Sequence, residues 1–368
     1  MDVPVDVPVD VPVDVPVDVP VDVPVDVPVD VLVPDAQPPI KRLRRYGRST
    51  LPGLLVVVLI LLLLVGATFA WYLVERKPLS ELPGLTTEKV PQYAFSIYGI
   101  TRPIGVAVSP SGERIYVTES EGTRQVQIYD RAGKKIGSLQ PPKSATASHV
   151  PVYVAIDPIT GYVYVSDRPT QSVYVYNAAG VYLKTFAAGA DLGGGWQPLG
   201  LAFDKQSNLY VTDVSGPYNR ILVFRNDGTV IRTLGATDKL SFPNGIAVDS
   251  EKNIYVSDSN NGRMVVFNPV GKIIATINRG AGQGDLGLPR GAAIDDRNRL
   301  YVADTSAHTV KVYLIEPKKS AIPRYIGFFG EEGQLDGQFQ FPNGVATDAY
   351  ARIYVTDREN NRVQVWRY

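Results

Sequence analysis

From Tyr93 onward, apolar and polar positions alternate in short runs of about five residues, each closed by Gly, Asn, Asp or Ser. Period-two alternation over such short runs predicts half-buried β-strands joined by tight turns, and no helical period interrupts it. The alternation itself repeats. Pro-x-Gly-apolar-Ala-apolar-Asp, a polar turn, apolar-Tyr-Val-x-Asp, a second turn and a further alternating run recur from Pro103, Pro151, Pro198, Pro243, Pro289 and Pro342. The fourth copy is the clearest: Pro243-Asn-Gly-Ile-Ala-Val-Asp249, then Asn253-Ile-Tyr-Val-Ser-Asp258, then Arg263-Met-Val-Val-Phe267. A period of about 45 residues with four strands per unit predicts a propeller blade.

The last unit ends after its third strand. An orphan run, Tyr93-Ala-Phe-Ser-Ile-Tyr-Gly99, parallels the outer strand of the fifth unit, Tyr325-Ile-Gly-Phe-Phe-Gly330. It is expected to complete the last blade, because an open ring would leave unpaired strand edges.

Upstream the pattern changes twice. From Ser49 through Val74 no residue is charged, and Leu54–Val65 is almost pure Leu, Val and Ile. This predicts a transmembrane helix over 51–74, a signal anchor, followed by a stalk over 75–92. Lys41, Arg42, Arg44, Arg45 and Arg48 precede the span, and only Arg76 and Lys77 closely follow it. The positive-inside rule then leaves the N-terminus cytoplasmic and puts 93–368 outside, in a single-pass protein of the plasma membrane. A cleaved signal peptide ending near Thr68-Phe69-Ala70 is disfavoured by the long preceding region and the long apolar stretch. Residues 1–50 open with an Asp-Val-Pro-Val array from Asp2 to Val33. Proline and aspartate at every fourth position predict an extended, disordered tail ending in the basic juxtamembrane cluster.

Composition narrows the chemistry. There is no cysteine, so disulfides, Cys-ligated zinc and a thiol nucleophile are excluded. With only two histidines, His149 and His308, a His-rich metal site is excluded too. Net charge is zero, and the repeat region is too weakly basic for a nucleic-acid partner.

The WD dipeptide is absent, and the six units instead resemble NHL repeats. The resemblance implies an all-β, six-bladed NHL β-propeller covering essentially all of 93–368. Two copies depart from the pattern. The second has Tyr153 in place of Gly and Ser172 in place of the repeat Arg, and the first has Ser109 and Glu119 in place of the two Asp. NHL propellers bind proteins, glycans or other ligands on one face, so the resemblance points to a membrane-displayed binding or scaffold module without a cofactor. The alternative it leaves is a calcium-dependent lactonase- or hydrolase-like, or lyase-like, propeller enzyme.

The recurring carboxylates Asp167, Asp213, Asp258, Asp304 and Asp357, and the second set Asp157, Asp204, Asp249, Asp295 and Asp348, suit turn capping and, where Arg220, Arg263 and Arg362 follow, ion pairing. More telling is the residue after each motif proline, expected at the channel mouth: Ile104, Val152, Leu199, Asn244, Arg290 and Asn343. Three neighbouring copies are apolar and three polar. Such a ring suits a partner loop or a small anionic or amphipathic ligand, with Arg290 as the anchoring cation. The two histidines are expected as lone surface residues on opposite sides of the ring. The glycine-rich segments Gly189–Gly195 and Gly280–Gly284 lead into strands rather than helices, so they read as inter-blade connections, with Trp196 and Phe341 packing between blades.

Overall fold

The computed structural model describes residues 51–74, 90–143, 148–186, 195–216, 218–316 and 318–368, with helical side chains at Leu55–Ala67 and Ala70. The Asp-Val-Pro-Val tail, the basic cluster, most of the expected stalk and Gly189–Gly194 lie outside the described residues. The chain divides into two units, Met1–Lys77 and Pro78–Tyr368.

In the first unit, Leu51–Val74 form one α-helix. The membrane span expected over 51–74 is not found among the described residues, where no helix is long and apolar enough to cross a bilayer.

The second unit consists of six four-stranded antiparallel sheets. Five follow chain order. The sixth joins Pro342–Thr347, Arg352–Asp357 and Arg362–Arg367 to the early strand Gln92–Ile97. That strand pairs antiparallel from Gln92 opposite Arg367 to Ile97 opposite Val363, with a bulge between Tyr93 and Phe95. The orphan run therefore closes the ring. The first strand of each repeat is the innermost and packs against the first strands of both neighbouring blades.

Each innermost strand carries a bulge at its Pro-x-Gly step, where the register with the second strand jumps by a residue. The glycine is needed because the next blade passes against it. A Cβ at Gly245 would stand 2.1 Å from the Arg290 carbonyl oxygen, and one at Gly200 would stand 2.1 Å from that of Asn244. In four blades a hydroxyl bolts the same junction. Thr118, Ser166, Thr212 and Thr356 donate to the carbonyls of Val152, Leu199, Asn244 and Ile104, at 2.7 to 2.9 Å.

The core lies between blades rather than within them. Tyr255, Met264 and Val266 of blade 4 face Leu300, Val302 and Tyr313 of blade 5. Ile97, Val363 and Val365 of blade 6 face Ile115, Val117 and Tyr129 of blade 1. Burying each such side chain contributes about 1.5–3 kcal/mol relative to exposure, so every blade depends on both neighbours.

Candidate functional site

Both sets of repeat carboxylates are structural. At the end of each second strand, a buried carboxylate accepts a backbone N–H from the loop leading into its own blade. Val150, Gln197, Ser241, Leu288 and Gln340 donate in this way to Asp167, Asp213, Asp258, Asp304 and Asp357. Glu119 does the same for Thr101 in the first blade. The arginines Arg220, Arg263 and Arg362 close on their aspartates through Nε at 2.7 to 2.8 Å. On the opposite face, Asp204, Asp249, Asp295 and Asp348 cap the turn that follows and take a phenol from Tyr210, Tyr255, Tyr301 and Tyr354.

The histidines are corrected from surface positions to packed ones. His308 is buried, and its Nδ1 accepts from the Phe341 backbone at 3.3 Å. His149 stands edge-on to Tyr174, with Nδ1 3.4 Å from Asp167. Trp196 packs at the junction of blades 2 and 3 as expected. Phe341, which leads into blade 6, packs against the His308 ring of blade 5 with centroids 4.6 Å apart, as expected, while its outer side is exposed.

The six mouth residues Ile104, Val152, Leu199, Asn244, Arg290 and Asn343 line a single cavity of about 220 Å³. Val150, Arg168, Phe242 and Arg358 complete its wall. The cavity sits at the end of the channel where the second strands finish and the incoming loops arrive.

Its electrostatics are one-sided. Among the described residues, three arginines line it and no carboxylate does. Arg358 is partly neutralised by Glu359 at 2.8 Å, and Glu359 also holds Arg102. Burial, then the nearby charge of Arg102, lowers the Arg358 guanidinium from its ordinary value, with Arg290 adding to the effect. Arg290 lies over the Phe242 ring at 5.8 Å, and its Nε is buried without a hydrogen-bond partner. Phe242 takes a φ of +55°, a left-handed conformation that costs a non-glycine residue of order 1–3 kcal/mol.

Asn244 is buried and already engaged. The Tyr153 hydroxyl donates to its Oδ1 at 2.5 Å and also faces Oδ1 of Asn343 at 3.3 Å. Tyr153 is the residue that replaces the repeat glycine in blade 2. Burial pushes its phenol well above the ordinary tyrosine range, against the opposing charge of Arg290.

The alignment of repeats held signals for the residues missed at first. Arg168 and Arg358 each follow the second-strand Asp, where the other copies have Ser120, Val214, Ser259 and Thr305. Tyr153 was visible as a break in pattern, but its reach across the ring was not.

The NHL repeat family model matches residues 240–267, 286–313 and 339–366, the three blades that supply the polar half of the mouth. NHL repeat-containing protein 3 of Mus musculus is 28% identical over 218 residues, covering 58% of this chain and 50% of that protein. The chain thus spans half the length of this curated relative. Among solved structures, a streptogramin B lyase matches with a TM-score of 0.53 at 13% identity, covering 74% of this chain and 96% of that one. A virginiamycin B lyase from Staphylococcus aureus, in selenomethionine-substituted form, matches with a TM-score of 0.53 at 16% identity, covering 76% and 99%. At these identities the likeness is one of fold.

Proposed function

We propose that this NHL-repeat propeller is a binding module whose channel-mouth cavity takes an anionic group carried on an apolar body, either a small ligand or the tip of a partner's loop. The observation that carries it is the lining itself. Arg168, Arg290 and Arg358 supply positive charge, Ile104, Val150, Val152, Leu199 and Phe242 supply an apolar wall, and no carboxylate among the described lining residues competes for the cations. Guanidinium forks match carboxylate and phosphate geometry.

The alternative, turnover in the cavity, finds no His, Asp or Glu among the described lining residues to act as a base. Among the described residues, no group of three or more His, Cys, Asp or Glu could hold a metal ion.

We also propose that the helix Leu51–Val74 attaches the propeller to the cell membrane, N-terminus inside. What supports this is a helix of 24 residues that is apolar on every side, with Leu55–Val65 all exposed. A helix with no polar face is matched to lipid or to a protein core rather than to water.

The test of the cavity is a ligand and partner screen on wild type, repeated on Arg290→Ala. Affinity should fall at least tenfold, about 1.4 kcal/mol, with the melting temperature unchanged. A best binder indifferent to Arg290→Ala but lost on changing an outer-rim loop would mean that the propeller binds by its sides.

A further inference from the structure

Five of the six repeats carry glycine at the innermost step, at Gly105, Gly200, Gly245, Gly291 and Gly344, and the second carries Tyr153. The exchange is accommodated with slight loosening. The Tyr153 N–H reaches the Ser166 hydroxyl at 3.1 Å, whereas the N–H groups of Gly105, Gly200 and Gly344 make the equivalent bond at 2.6 to 2.7 Å. The side chain then leaves its own blade. Its hydroxyl meets Asn244 of blade 4 and Asn343 of blade 6. Blades 2, 4 and 6 alternate around a ring of six, so a group from one that meets residues of both others stands near the axis. Tyr153 thus reaches across the channel to the asparagines of the mouth.

The direction of these hydrogen bonds matters. A neutral phenol has one proton to give, and it goes to Oδ1 of Asn244 at 2.5 Å, with Asn343 standing farther off at 3.3 Å. With its carbonyl so engaged, the Asn244 amide turns its NH2 end to a ligand. The Arg168, Arg290 and Arg358 guanidiniums add further donors to the described lining.

We propose that Tyr153 is the positioning residue of this site. By holding Asn244 amide-outward, it favours as ligand an oxyanion, a carboxylate or phosphate monoester, on a short apolar chain. This rests on the cavity being the binding site, as proposed above. A group that must itself donate, such as a primary amide or an amine, meets no carboxylate among the described lining residues.

The experiment is calorimetric titration of hexanoate, monohexyl phosphate and hexanamide into the full chain as wild type, Tyr153→Phe and Arg290→Ala. Wild type should bind at least one of the two anions ten or more times more tightly than hexanamide, and the better of the two identifies the head group. Tyr153→Phe keeps the ring in place but frees the Asn244 carboxamide to rotate. Its preference for anion over amide should fall at least fivefold, with little change in melting temperature. An unchanged preference in Tyr153→Phe, while Arg290→Ala still loses the anion, overturns the positioning role and leaves the site standing. No saturable binding of either anion to wild type overturns both. A second readout needs no variant: the side-chain NH2 resonances of Asn244 and Asn343 should shift as the anion is added to wild type, and signals that stay put overturn the proposal.

Discussion

A single methyl group is enough to strain the ring. The added Cβ of Gly245→Ala would press on the Arg290 backbone, which cannot yield without moving blade 5. Overpacking of this kind costs typically 1–3 kcal/mol, so the variant should lose about 2 kcal/mol or more in denaturant unfolding, while Gly137→Ala, whose added Cβ meets only Ile128 at 3.9 Å, stays much closer to wild type. The buried tyrosines set a second residue-scale expectation. Burial, then the charge of Glu119, pushes Tyr129 up to about 12, and burial, then Asp157, does the same for Tyr164. Tyr255, Tyr301 and Tyr354 are raised further by burial and their aspartate partners. The folded values lie above the unfolded value of about 10, so the fold favours the neutral phenol. That contribution is intact below about pH 10 and is lost as pH rises through the folded values. The melting temperature should be level from about pH 7 to 9 and fall steeply above about pH 10, in step with tyrosinate absorbance; a level profile to pH 12 would contradict it. At this scale the six mouth positions were legible because each sits at a fixed offset from a repeat proline. Arg168, Phe242 and Arg358 were not, since their loops converge only once the ring has closed.

Among the elements, the strand Gln92–Ile97 is the one whose loss the ring is least able to absorb. It buries Ile97, stacks Tyr93 edge-on to Trp366 at 6.0 Å and covers the outer edge of the last blade. At about 25 cal/mol per Å² of apolar area, exposing a few hundred Å² costs several kcal/mol, comparable with the whole stability of a typical domain. A chain beginning at Gly99 should therefore be insoluble or melt far lower than one beginning at Val90, and equal melting temperatures would mean the ring holds without this strand. Strands and latch were readable because alternation and repeat length agree at every copy.

For the whole molecule, the proposed anchor makes an orientation test. Protease added to intact cells should digest the propeller and spare residues 1–40, whereas a protected propeller would reverse the orientation. The partition into a helix and a repeat region was plain in the hydropathy pattern, but which side of a membrane each unit occupies depends on charges at Lys41–Arg48 that lie outside the described residues. The way the last blade is assembled also has a consequence in time. Its outermost strand leaves the ribosome before any other strand of the ring, and its partner Arg362–Arg367 leaves after all five intervening blades. At about 5–20 residues per second, the first strand waits on the order of ten seconds or longer with no edge to join. Throughout that interval an apolar strand is free to pair with the wrong chain, so crowded synthesis and slow elongation should lower the yield of closed rings more than they change the stability of those that form.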